Sequence, residues 1–190
     1  MKASSIQRLA ALCLALFLIP YGQMFGQDRA PSSAEKPTQT ADPWAPLRFL
    51  LGDWVAVEGT GQPGEAISGG SSFAFDLGGK TMIRKNRADY APKPGEKTGI
   101  SHQDLLIIYL RLGESQFRAF YVDNEGHDIN YRVAFPKDGA VNFESDESQG
   151  GPRYRLGYLL NPDQTLTITF SIAMPGTTFT VYTKGIARRR

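Results

Sequence analysis

Apolar and polar residues alternate with a period of two along most of the chain beyond Gly52, which is the pattern of β-strands. The clearest run covers residues 165–172, where Leu, Ile and Phe occupy every second position and Thr or Ser fill the positions between. Such a run predicts a strand with one buried face and one face in water. Before Gly52 the apolar spacing is helical and predicts one short helical turn. Its residues are Trp44, Leu47, Leu50 and Leu51.

Ten segments are predicted as strands, and clusters of Gly, Pro, Asn and Asp separate them. They are Trp54–Gly59, Ser71–Asp76, Thr81–Tyr90, Asp104–Leu110, Gln116–Asp123, His127–Phe135, Val141–Ser145, Tyr154–Leu160, Thr165–Ala173 and Thr178–Ala187. Most connections are short, and short connections join antiparallel neighbours. Antiparallel strands leave two exposed edges unless the sheet closes. The sequence therefore predicts an all-β fold, an up-and-down antiparallel barrel of about ten strands behind a short N-terminal helical turn.

The first 43 residues lack this alternation. Lys2 and Arg8 flank the start, an apolar run follows over residues 9–19, and this order is that of a secretory signal peptide. The run is shorter than the roughly 20 apolar residues that cross a bilayer. Cys13 lies within the run rather than at its end, so no lipid anchor is expected. We predict a signal peptide over 1–26 and a periplasmic or secreted product.

Residues 27–43 are rich in Ser, Thr, Pro, Ala and charge and have no apolar period, so they predict a flexible linker before a barrel domain over 44–190. The leader holds two of the 21 Lys and Arg residues and none of the 19 acids, which leaves the remaining chain close to neutral. This balance excludes a nucleic-acid footprint, because the three terminal arginines alone are too short a basic run. No cysteine follows the leader, so no disulfide is expected.

The segment 47–54, Leu-Arg-Phe-Leu-Leu-Gly-Asp-Trp, is followed by Glu58-Gly59. It resembles the opening of calycin-type barrels and is most similar to the nitrobindin-like and lipocalin-like bacterial proteins of unknown function. The resemblance implies that Trp54 packs at the closed end of the barrel beneath a basic side chain of the last strand. Lys184 and Arg188 are the candidates, and a cation over an indole face contributes roughly 0.5–2 kcal/mol. Trp54 and Arg188 are therefore predicted to be structural.

Nitrobindins bind haem through a histidine late in the chain, and this chain has none after His127. No haem and no other cofactor is expected. The other histidine is His102, which lies in the connection 91–103 and is predicted to be a solvated loop residue or part of a lid. Two separated histidines without a cysteine give no spacing for a metal site.

The predicted strand 82–90 has charged residues on both faces. Its more apolar face includes Arg84 and Asn86, and we predict that these two point into the barrel. A buried guanidinium needs a partner, and Asp104 at the start of the next predicted strand is the nearest candidate. The alternative is that Arg84 lies on the outer face without a partner.

The segment 117–131 predicts a hairpin that closes at Gly126, which takes the positive φ of the turn. Tyr121, Asp123, His127 and Tyr131 would then cluster near one rim, where His127 could exchange a proton near neutral pH. The alternative is that the polar residues here are turn formers.

No catalytic signature is present, since the chain lacks Gly-x-Ser-x-Gly, a Cys nucleophile and His-Glu-x-x-His. The leading hypothesis is a binding barrel for a small, partly apolar ligand. Its candidate lining is Tyr121, Tyr131, Tyr154 and Tyr158, which would otherwise be core residues. One alternative is an enzyme that pairs His102 or His127 with Asp104 or Asp123. Another is a structural protein with a filled barrel. The last is an outer-membrane barrel, but the chain lacks the aromatic girdles of that class and ends in basic residues.

Overall fold

A computed structural model of the chain describes residues 42–57, 66–92, 95, 97–146 and 150–190. In these residues ten strands pair in chain order, each antiparallel to the next, and the last pairs with the first. They are β1 (Gly52–Ala56), β2 (Ala66–Asp76), β3 (Thr81–Tyr90), β4 (Ile100–Leu110), β5 (Phe117–Asp123), β6 (Asp128–Ala134), β7 (Ala140–Ser145), β8 (Arg153–Leu160), β9 (Leu166–Ala173) and β10 (Thr180–Arg189). The predicted closed, up-and-down barrel is confirmed. It is consistent with a calycin-like fold.

The predicted helical turn is a 3-10 helix over Ala45–Leu50, with Pro46 in its first turn, where a missing N–H costs nothing. It covers one end of the barrel, which we call the closed end. Leu47 and Leu50 are fully buried there, in one cluster with inward residues of the strands such as Met82 and Ile108. Short turns join the strands at this end, including a second 3-10 turn over Leu77–Gly79.

Trp54 lies at the closed end, as the resemblance implies. It is 1% exposed, and its indole Nε1 donates to the carbonyl oxygen of Leu50 at 2.7 Å. The prediction that Arg188 or Lys184 covers it is wrong, because the guanidinium 4.4 Å from the indole centroid is that of Arg189. Trp54 pairs with Arg189 and Val55 with Arg188, so the alternation of β10 turns Arg188 to the outer face.

Two strands begin several residues earlier than predicted. β2 starts at Ala66 rather than Ser71, and β4 starts at Ile100 rather than Asp104. His102 is therefore a strand residue that pairs with Ala88, and the prediction of a solvated loop position is wrong. On β3 the predicted facing is confirmed, because Arg84 is buried while Lys85 is exposed.

The predicted signal peptide and the linker, apart from Asp42 and Pro43, lie outside the described residues. The Asp42 carboxylate accepts from the backbone N–H of Trp44 at 3.0 Å and from the Arg48 side chain, so Asp42 is held against the helical turn. None of the helices in the described part of the chain is long and apolar enough to cross a membrane.

Candidate ligand-binding site

Arg84 and Asp104 form an ion pair inside the barrel. Their side chains are 4% and 3% exposed, and one guanidinium NH₂ group of Arg84 donates to the Asp104 carboxylate. The other NH₂ group donates to the hydroxyl of Tyr158. Asn86, which pairs with Asp104 across the strands, donates to the second carboxylate oxygen at 2.8 Å. The predicted pairing of Arg84 with Asp104 and the inward position of Asn86 are thus present in the structure.

Both members of this pair keep their charge. Burial acts to lower the pKa of Arg84, but Tyr158 and Asp104 outweigh it and the pKa rises above its ordinary value. Burial likewise acts to raise the pKa of Asp104, yet Arg84, His102 and Asn86 bring it below its usual range. The interior therefore holds a fixed guanidinium and a fixed carboxylate.

His102 joins this network from the side of the barrel mouth. Its Nε2 lies 3.3 Å from an Asp104 carboxylate oxygen and 3.1 Å from the Tyr121 hydroxyl, and its Nδ1 lies 3.0 Å from a Glu125 carboxylate oxygen. The hydrogen bond to Asp104, aided by Glu125, raises the pKa of His102 to about 9. The imidazole is thus an imidazolium at neutral pH. The inward position of His102 could have been predicted from the sequence, because His102, Asp104 and Leu106 are spaced two residues apart and continue the pattern of the strand.

The raised pKa of His102 predicts a pH-dependent stability. Because the pKa moves from 6.5 to about 9 on folding, this contribution is full below pH 6.5 and is lost as pH rises through about 9. It corresponds to at most roughly 3 kcal/mol. Denaturant titrations from pH 6 to 10 should show the stability advantage of the wild type over His102→Gln shrinking across that window. Parallel profiles for the two proteins would contradict the assignment.

The hairpin between β5 and β6 carries the second group of predicted residues. Gly126 has φ +91°, as predicted. The Asp123 carboxylate accepts from the backbone N–H groups of Glu125 and His127 at 3.0 and 2.9 Å, and lies 2.9 Å from His127 Nδ1. The Tyr121 hydroxyl donates to the same carboxylate at 3.2 Å. Asp123 therefore fixes the turn, and the three predicted neighbours Tyr121, Asp123 and His127 do come together.

Tyr131 does not lie at the rim with them. It is 1% exposed and packs edge-on against Tyr121 and Phe143, with ring centroids 6.3 Å apart in each case. Its partners on the two adjacent strands, Ala119 and Ser145, are buried as well, so Tyr131 is a core residue. Tyr158 is likewise buried, and its ring packs against Phe73 and Phe143. Of the four tyrosines predicted as lining, these two belong to the core.

An apolar wall faces the polar network at the barrel end away from the helical turn. Tyr154 stacks on Phe170, with centroids 5.9 Å apart and ring planes at 14°. Four residues of β9 point inward, and of these Leu166 is fully buried, whereas Ile168, Phe170 and Ile172 are only half-buried. These residues provide partly exposed apolar surface at the end of the barrel away from the helical turn, which we call the open end.

Gly185 leaves room inside this open end. It pairs with Ile168 and shares the inward face of β10 with the buried Ala187. A Cβ built at Gly185 would meet no atom within 4 Å. The inward neighbour Thr183, which pairs with Phe170, is exposed. The open end thus has unfilled space at Gly185 of β10, beside the apolar residues of β8 and β9, and the polar side chains of β3–β5 extend toward the same end.

The donor set of the site suits hydrogen bonding rather than metal binding. Among the described residues no three His, Cys, Asp or Glu side chains are grouped so that they could hold a metal ion. His102 already contacts Tyr121 and Glu125, and Asp104 already accepts from Arg84 and Asn86.

Comparison with known proteins adds no relative, since no family model and no curated protein matches the chain.

Proposed function

We propose that this chain is an exported, lipocalin-like barrel whose open end binds a small, partly apolar ligand. The observation that carries the proposal is the space at Gly185, on the inner face of the barrel and opposite Ile168. Ligand sites in proteins combine apolar walls with a few placed polar groups. The apolar part of the ligand packs against Tyr154, Ile168 and Phe170, and its polar part reaches toward His102.

Binding fits the site better than acid–base catalysis. A general base must be unprotonated near the working pH, whereas the contacts of His102 with Asp104 and Glu125 hold its proton at neutral pH. The other histidine–carboxylate pair lies on the hairpin, where His127 is 64% exposed and Asp123 is occupied by two backbone N–H groups. Neither pair is poised to remove a proton from a bound substrate.

The alternative of a structural protein with a filled barrel agrees with the packing of the closed end only. The closed end is packed by buried side chains, from Leu47 and Trp54 to Phe143. The open end retains half-buried apolar residues and the space at Gly185. Because ligand sites combine apolar side chains with unfilled space, the space at Gly185 beside Ile168 favours a binding protein over a purely structural one.

Filling the space should weaken binding. The neutral, apolar probe N-phenyl-1-naphthylamine should bind the wild type with enhanced fluorescence, and Gly185→Leu should weaken that binding about tenfold or more, because its side chain takes the ligand's place. Lys184→Leu adds the same side chain one residue earlier, on the outer face, and serves as the matched control. Equal probe binding by the wild type and both variants would contradict a ligand site at the open end.

A further inference from the structure

A second concave surface lies on the outside of the barrel, which we call the β1–β3 groove. Its volume is about 480 Å³, and its lining includes Asp53 and Val55 of β1, Gly70 and Ser72 of β2, and basic residues on both sides. Lys85 and Arg87 stand on β3 on one side, and Arg190 follows β10 on the other. The groove is separate from the interior site, because these side chains are on the outer face.

The groove exists because glycine forms its floor. A Cβ at Gly70 would lie 2.6 Å from the carbonyl oxygen of Trp54, and one at Gly69 would lie 2.4 Å from that of Arg87. No side chain fits at such distances, so the strands approach closely and leave bare backbone between the basic edges. Ser72 is the small neighbour that completes the floor.

Strand pairing fixes the width of the groove. Gly70 pairs with Val55 on one side and with Arg87 on the other, and Val55 in turn pairs with Arg188. The two basic edges are thus three strand spacings apart, roughly 14 Å between backbones. Long Lys and Arg side chains can reach inward from both edges to one ligand.

The basic residues here are largely unneutralised. Arg87 pairs with Asp89 at 3.0 Å, whereas Lys85 and Arg190 make no ion pair with any residue that the structure describes. Asp53 is the acidic residue in the groove itself. The groove lining therefore holds three cations, Lys85, Arg87 and Arg190, and one carboxylate, that of Asp53.

We propose that the β1–β3 groove binds a small anion with two or more negative charges, of the phosphate-ester class. Arg and Lys are the side chains that bind phosphate oxygens, with charge-assisted hydrogen bonds. The volume suits a small molecule, and the concave floor between two basic edges suits a compact anion better than a flat bilayer surface. The same phosphate chemistry occurs in free esters and in lipid headgroups, and the experiment separates the two sources.

Pyrophosphate is the probe, titrated calorimetrically into the whole protein at about 20 mM ionic strength, where screening is weak. Lys85→Gln and Arg190→Gln should each weaken binding about tenfold, the usual effect of one charge-assisted contact. The double variant Lys80→Gln/Lys137→Gln removes two charges elsewhere on the surface and should change binding less than twofold. Ser72→Leu fills the floor without changing charge and should weaken binding about tenfold. Thermal unfolding confirms that each variant is folded.

Three results would overturn the proposal. They are the absence of pyrophosphate binding to the wild type, an equal loss in the groove and control variants, and binding that survives Ser72→Leu. In the parallel arm, vesicles of phosphatidylglycerol in phosphatidylcholine replace pyrophosphate. Binding to these vesicles alone, unaffected by Ser72→Leu, would identify a membrane-facing surface and also overturn the groove as a ligand site.

Discussion

Asp104→Leu is expected to destabilise the protein by about 3–5 kcal/mol, and Arg84→Met by a comparable or smaller amount. Removing Asp104 leaves Arg84 buried without its counter-charge and takes one of the two carboxylates from His102. Removing Arg84 leaves Asp104 with His102 and Asn86 as remaining partners, so its charge is still partly compensated. The measurement is the free energy of unfolding from denaturant titration at pH 7.

The double variant should recover much of the loss, because it leaves neither charge of the ion pair stranded. A double-mutant cycle should therefore give a coupling energy well above 0.5 kcal/mol. Arg87 provides the control, since it is an exposed residue of the same strand and its pair with Asp89 is at the surface. An Arg87→Met change should stay within about 0.5 kcal/mol. Small and additive effects of Arg84→Met and Asp104→Leu would show that the two side chains do not form a buried pair.

Trp54→Ala is expected to cost about 3–5 kcal/mol, the range for deleting a buried aromatic side chain. The indole is 1% exposed, donates to Leu50 and lies beneath Arg189, so its loss opens a cavity between the helical turn and the barrel. A loss below about 1 kcal/mol in a denaturant titration would mean that the indole is exposed.

The two neighbouring arginines of β10 supply a matched pair for the same site. Arg189→Met removes the cation over the indole and its hydrogen bonds to the carbonyl oxygens of Leu51 and Phe49, and should cost about 0.5–2 kcal/mol. Arg188→Met changes an outer-face residue and should stay within about 0.5 kcal/mol. The reverse order would contradict the strand register of the structure.

The barrel could be predicted because the alternation of apolar and polar residues, as in 165–172, is a local pattern. Within each strand this pattern identifies the face that is buried. The pairing of Arg84 with Asp104 followed from the same alternation and from the cost of burying a lone charge. The first residue of β4 could not be predicted correctly, because residues 91–99 are rich in Pro, Gly and Lys and this composition predicts a loop. The predicted loop includes His102, which in the structure lies on β4 and points into the site.

Features set by distant contacts could not be predicted. Whether Arg188 or Arg189 covers Trp54 depends on the register between the last strand and the first, which are far apart in the chain. The space at Gly185 depends on how β9 and β10 face the barrel interior. The β1–β3 groove is formed by residues of three strands together with Arg190, which are distant in sequence. No single segment of the sequence therefore predicts it.

The binding site at the open end is tested most directly by methyl NMR of isoleucine residues titrated with N-phenyl-1-naphthylamine. We expect the methyl signals of Ile168 and Ile172, inward at the open end, to shift with one saturating binding curve. The signal of Ile108, fully buried in the core cluster of the closed end, should stay in place, as should that of the outward residue Ile83. Shifts at Ile83 without shifts at Ile168 and Ile172, or no shifts at all, would contradict a ligand site inside the barrel.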